Sequence, residues 1–371
     1  MRFVSLLVSL VILGSITLVS AKTTTAIAAT STGTLADATY TPLVSTRANF
    51  DTSTSLLLPN HNEKDYAAFD VPGLQVGKCP AEIAIYVHGV GATPTNAAEQ
   101  TERVKMSLNN NGYYNPVIGF SWDSNTPKDA STDITLIAKQ QGPKLAHFIL
   151  DFKNKCPDSK VRMIGHSMGA RVILSTLASL QKNTEWKSKN FKLASVHLIG
   201  GGVARLWNVY GIKSPVRNSI EQVVIKFYNY FNPKDKVLSG TDPGVEDHTA
   251  LGNTGTQKRI SLPSNYIQRD VQNEILPLCD ADADGKPDLG LTSKDCKAME
   301  RGFNHMGYMG FRDPTTKKLM DDGVMNLIVS DWGYNSSGGG SQNTLTPSTN
   351  SKGDSNSKIE RSSPGKLVEV P

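Results

Sequence analysis

Residues 161–180 constrain the chain more than any other stretch. Val161, Met163 and Ile164 form a short apolar run that reads as a strand, and residues 170–180 are compatible with a helix. Between them stands Gly165-His166-Ser167-Met168-Gly169, a G-x-S-x-G sequence that leaves room only for a sharp turn. In such an elbow the serine takes a strained backbone conformation, and glycines on either side admit neighbouring backbone where a Cβ would clash. The helix start then aims free N–H groups and its positive dipole end at any charge forming on a bound molecule. The bland alternative is an ordinary strand-to-helix turn with an exposed serine, and the patterns on both flanks favour the elbow.

The rest of the chain repeats this alternation. Strands are expected at residues 83–87, 116–122, 194–199 and 223–230, with helices at 96–108, 134–152 and, last, 324–332. Buried apolar strands alternating with helices predict an α/β fold whose mostly parallel central sheet is covered by helices on both faces. A ligand site then lies beyond the C-terminal ends of the strands. Residues 22–75 read as a spacer followed by short N-terminal strands. Residues 76–334 read as the main domain, with an irregular lid or insert at about 236–304. Residues 335–371 are Ser/Gly/Asn-rich and are expected to be disordered.

Residues 1–21 read as a secretory signal peptide, with Arg2, an apolar stretch, and the small-residue site Val19-Ser20-Ala21. An uncleaved N-terminal anchor is the alternative. Either way the folded part is expected outside the cytoplasm, secreted or cell-surface associated, with no transmembrane segment in the mature chain. The net charge of +5 is mild for 371 residues, and no Lys/Arg cluster alternates with aromatics, so nucleic-acid binding has no support. The four cysteines suit an oxidising compartment. Cys79 and Cys156 each lie a few residues before an apolar strand. If those strands are parallel neighbours, Cys79–Cys156 can bridge, leaving Cys279–Cys296 to close a local loop.

The chain resembles the serine hydrolases of the α/β-hydrolase fold, in their lipase/esterase branch. The resemblance rests on His88-Gly89-Val90, on the elbow, on Asn232-Pro233-Lys234-Asp235, and on Asn304-His305, and covers roughly residues 80–332. It implies a Ser–acid–His order along the chain: Ser167 as nucleophile, Asp235 as orienting acid, His305 as base. A serine hydroxyl needs such a base, and an imidazole titrates near ambient pH. Among histidines after Ser167, His197 lies inside an apolar strand and His248 follows the acid too closely. Asp242 and Asp247 are the fallback acids. The resemblance also implies an oxyanion hole from the main-chain N–H groups of Val90 and Met168, with His88 bracing the turn.

Asp280, Asp282, Asp284 and Asp288, with Gly285 among them, form the start of a candidate calcium loop. Its twelfth position is Leu291 rather than Glu, leaving Asp288 or Asp295 to complete the shell, and a solvated acidic turn is the other reading. The resemblance requires no cofactor, so calcium would be structural. Its implied partner is a small-molecule or lipid ester. Thioester, polyester or peptide substrates, and a non-catalytic surface or binding role, are the rivals.

Overall fold

A reversal in strand order governs this fold. The computed structural model describes residues 42–52, 54–125, 134–203, 215–235, 237–239, 250–256, 262–275, 305–313, 316–334 and 367–368. All the described residues belong to a single compact unit of the chain. The strands in chain order are β1 (Leu43–Ser45), β2 (Phe50–Asp51), β3 (Leu56–Leu57), β4 (Ala67–Phe69), β5 (Glu82–Val87), β6 (Val117–Ser121) and β7 (Lys160–His166). There follow β8 (Leu193–Ile199), β9 (Val224–Phe231), β10 (Tyr266–Asp270), β11 (Phe311–Arg312), β12 (Leu319–Asp321) and β13 (Leu367–Val368).

Among the described residues, nine strands form one sheet in the order β13-β10-β9-β8-β7-β5-β6-β1-β4. Every neighbouring pair from β1 to β10 is parallel, and only the edge strands β4 and β13 run antiparallel. The chain leaves β5 in one direction for β6, then crosses back over β5 to β7 and continues outward. The switch point therefore falls between β5 and β7, where the turns after both strands open side by side.

Side-chain alternation divides the core between the two faces. Ile83, Ile85, Val87, Val161 and Met163 join Phe148, Phe152, Ile173 and Leu177 from the Ile134–Lys155 and Gly169–Lys182 helices. Ala84, Tyr86 and Ile164 point the other way, into Val104, Leu108, Ile328 and Val329 from the Pro94–Asn110 and Met325–Asp331 helices. Thr93 starts the Pro94–Asn110 helix, accepting from the Asn96 N–H at 3.2 Å, with Pro94 in the first turn where its missing donor costs nothing.

Pro143 lies inside the Ile134–Lys155 helix without ending it. Proline removes the bond that would reach the carbonyl of Lys139, and the Ser175 hydroxyl of the neighbouring helix donates there instead, at 2.6 Å. Gly142 allows the approach, since a Cβ on it would lie 2.3 Å from Ser175 Oγ.

The sheet departs from the sequence reading in three places. Residues 236–304, read as irregular, contain β10, which extends the parallel sheet beyond β9. Val223, read as the start of a strand, ends a helix, Pro215–Val223, which the reading did not anticipate. Within the tail read as disordered, β13 pairs with Gln268 and Arg269 on the open edge of β10. An edge strand presents unpaired main-chain groups that an extended segment can satisfy. The disulfide Cys79–Cys156 is present, with Cα atoms 5.5 Å apart, because β5 and β7 are parallel neighbours whose first residues pair, Glu82 with Lys160. The leader, Cys279, Cys296, the acidic loop at 280–288, Asp295, Asp242, Asp247 and His248 all lie outside the described residues. Among the described residues no helix is long and apolar enough to cross a membrane.

Candidate active site

The turn at Ser167 is made by close packing. A Cβ on Gly165 would lie 2.6 Å from Ile173 Cδ1, and one on Gly169 would lie 2.3 Å from the carbonyl oxygen of Val87. Glycine at both positions lets β7, the following helix and the end of β5 meet at backbone contact. Ser167 between them has φ of +54°, in the left-handed region that serine rarely occupies. The strain is held in place from both sides: Ser167 N–H donates to Ile199 at 3.2 Å, and Gly202 N–H donates to the Ser167 carbonyl at 2.9 Å. Met168 caps the helix with no side-chain capping bond.

The turn after β5 closes over the serine. A Cβ on Gly89 would lie 2.8 Å from Ser167 Cβ and 3.3 Å from its Oγ. Val90, next in the chain, is 51% exposed, so its side chain stands at the surface beside this approach. His88 supports the turn from beneath. Its Nε2 accepts from the Trp122 N–H at 3.1 Å, its Nδ1 lies 2.9 Å from the Gly89 carbonyl, and its ring stacks on Trp122. Burial, with Arg47 beside it, pushes the His88 pKa down to about 3, so it is a neutral brace.

Asp235 follows β9 in a turn organised by Asn232, whose side chain accepts from the Lys234 N–H at 2.9 Å. The Asp235 carboxylate is fully buried. Its Oδ1 accepts from the N–H groups of Val237 at 3.1 Å and Leu238 at 3.2 Å. Its Oδ2 lies 2.8 Å from His305 Nδ1. A carboxylate bonded in this way is an acceptor, so Nδ1 carries a proton, and in the neutral ring Nε2 keeps a free lone pair. That Nε2 is buried and has no hydrogen-bond partner among the described residues. His305 is also tied to the elbow directly: His166 Nε2 donates to the His305 carbonyl at 2.6 Å, and the two rings lie 4.7 Å apart. Burial, then the neighbouring His305, lowers the His166 pKa to about 3.

Of the residues singled out from sequence, Asp235 and His305 are hydrogen-bonded to each other, and His166, the residue before Ser167, is hydrogen-bonded to the His305 carbonyl. His197 is a core histidine, packed on Tyr228 and bonded by Trp332 Nε1 at 2.7 Å. Two participants were missed. Asn253 Nδ2 reaches the carbonyls of Asn232 at 3.2 Å and Asp235 at 3.2 Å, bracing the acid turn. Tyr308 is fully buried, with its hydroxyl 3.3 Å from Asp235 Oδ2. The Gly307 that follows His305 by two residues hinted at a turn here, but nothing local marked Tyr308 or Asn253 as a partner of the Asp235 turn.

A parallel sheet with its switch point at a strained serine, and helices on both faces, is the α/β-hydrolase fold. Residues 76–239 match the profile of a family described as an alpha/beta hydrolase of unknown function (DUF900). No curated protein matches the chain. Among solved structures, the catalytic core domain of acetyl xylan esterase from Trichoderma reesei is 12% identical at a TM-score of 0.30, over 62% of this chain and 96% of that one. A cutinase from Trichoderma reesei, in complex with a phosphonate inhibitor, is 16% identical at a TM-score of 0.25, over 39% of this chain. The match spans 60% of that cutinase's length. The phospholipase PlaB from Legionella pneumophila is 15% identical at a TM-score of 0.26, over 42% of this chain and 38% of that one. Likenesses this distant carry nothing about substrate.

Proposed function

We propose that this chain is a secreted serine hydrolase that cleaves carboxylic esters through an acyl-enzyme. Ser167 Oγ attacks the ester carbonyl, and His305 Nε2 takes its proton and delivers it to the departing alcohol. Water then enters by the same route in reverse and releases the acid. Asp235 holds the imidazole in the required tautomer and stabilises the imidazolium as it forms. The N–H groups of Val90 and Met168 receive the negative charge of the tetrahedral intermediate. No cofactor enters these steps.

The observation that carries the reading is the imidazole of His305. It is buried, its Nδ1 lies 2.8 Å from a carboxylate, its Nε2 has no partner among the described residues, and its carbonyl is hydrogen-bonded by His166, the residue before the left-handed Ser167. The core histidine His197 has both nitrogens bonded, whereas His166 and His305 each keep one nitrogen without a partner among the described residues. The disulfide Cys79–Cys156 supports an extracytoplasmic location.

The test is turnover of short- and long-chain p-nitrophenyl esters by the wild type and by Ser167→Ala. Turnover is expected to fall by at least a thousandfold in the variant, and undiminished turnover would end the assignment. The ratio between chain lengths defines the acyl preference.

A further inference from the structure

We propose that Tyr308 is a positioning residue that sets the proton affinity of His305 by competing with it for one oxygen of Asp235. This inference rests on the reading of His305 and Asp235 as base and orienting acid. Both groups converge on Oδ2, with His305 Nδ1 at 2.8 Å and the Tyr308 hydroxyl at 3.3 Å, while Oδ1 is occupied by two main-chain donors. The carboxylate's charge is thus divided among four donors, and whatever Tyr308 takes is withheld from the imidazolium.

The hydroxyl also lies 3.2 Å from the carbonyl of Gly252. That carbonyl already accepts from the Asn232 N–H at 2.9 Å, so it does not depend on Tyr308. A charged acceptor attracts the single phenolic proton more strongly than a neutral one. The ring has no freedom to leave. It is fully buried, and Gly200, at φ of +54°, packs so close that a Cβ there would lie 2.6 Å from Tyr308 Cε2. Replacing the hydroxyl by hydrogen therefore orphans no partner and changes little volume.

The charged and titratable groups around this pair come from four elements. His166 ends β7, Asp235 follows β9, Asp270 ends β10 and acts on Tyr308, and Arg103 from the Pro94–Asn110 helix acts on His166. His166 stays neutral above about pH 3, and burial beside Asp235 holds the Tyr308 phenol protonated. Neither group changes charge across neutral pH.

The experiment follows the His305 imidazole by NMR in protein carrying labelled histidine, assigned with His305→Gln. In Tyr308→Phe the midpoint is expected to rise by about half a unit, roughly threefold in proton affinity. With 3-fluorotyrosine at position 308, a stronger donor of nearly the same shape, it is expected to fall. The fluorotyrosine protein differs by one atom, so it carries the test even if Tyr308→Phe folds poorly. Midpoints that coincide in all three proteins would overturn the proposal, whatever happens to thermal stability. The readout needs no turnover. A wild type whose Ser167 fails to react with a fluorophosphonate would refute the proposed function, and these midpoints would still decide the role of Tyr308.

Discussion

Ser167 holds a backbone conformation that suits glycine better, and the fold tolerates it because Ile199 and Gly202 fix both of its peptide groups. Such strain costs on the order of 1 kcal/mol for a residue with a Cβ. Ser167→Gly should therefore be more stable than Ser167→Ala by about 1 kcal/mol in chemical denaturation, while both lose the hydroxyl. Equal stabilities would mean the turn is not strained. The buried histidines make a second statement at this scale. His88 and His166 bind protons in the unfolded chain near pH 6.5 but only near pH 3 in the fold. Between those values the unfolded state holds more protons, so stability falls as pH drops from about 6.5 toward about 3. Asp321 opposes this over a narrower window: burial raises its pKa to about 6, so its contribution grows as pH falls through that value. Two histidines shifted further than one carboxylate predict a net loss, measurable as a declining Tm between pH 6.5 and 4. Flat stability over that range would contradict the burial of both rings as neutral groups.

At the scale of elements, the crossing of the Ile134–Lys155 and Gly169–Lys182 helices depends on Gly142, Pro143 and Ser175 together. A Cβ at Gly142 meets not only Ser175 Oγ but its carbonyl carbon, 2.6 Å away, which a rotamer change does not relieve. Gly142→Ala should cost about 1–3 kcal/mol in urea unfolding, and Ser175→Ala about 1 kcal/mol by orphaning the Lys139 carbonyl. A neutral Gly142→Ala would show that the helices are further apart. The pattern of the elements was readable where strand and helix periods are long and uninterrupted, as in residues 161–180, and the chain order of serine, acid and base marked their candidates. Val224–Phe231 was found a residue early because Val223 is as apolar as the strand it precedes. β10 was hidden because Tyr266, Gln268 and Asp270 alternate with Ile267 and Arg269 and give no apolar run. The hydrogen bonds of the Asn253 and Tyr308 side chains reach partners 18 to 73 residues away in the chain, which no local pattern encodes.

For the whole molecule, parallel pairing of β5 with β7 puts the disulfide and the proposed nucleophile at opposite ends of the sheet. The first residues of these strands carry Cys79 and Cys156 just ahead of them, and the opposite ends, where Val87 pairs with Gly165, open into the turns at Val90 and Ser167. The disulfide closes a loop of 77 residues, and removing it should lower stability by about 4 kcal/mol through the unfolded chain. Cys79→Ser with Cys156→Ser should thus unfold at lower denaturant, yet below its transition Ser167 should react at an unchanged rate. A matching loss of reactivity would mean that the two ends of the sheet are coupled.

The central claim is that one hydroxyl is made nucleophilic by an imidazole delivered from the far end of the chain. Fluorophosphonate labelling followed by peptide mass mapping addresses it most directly, in the wild type and in His305→Gln. The account predicts a single adduct on Ser167, forming at least a hundredfold more slowly in His305→Gln. An adduct on any other residue, or equal rates in the two proteins, would contradict it.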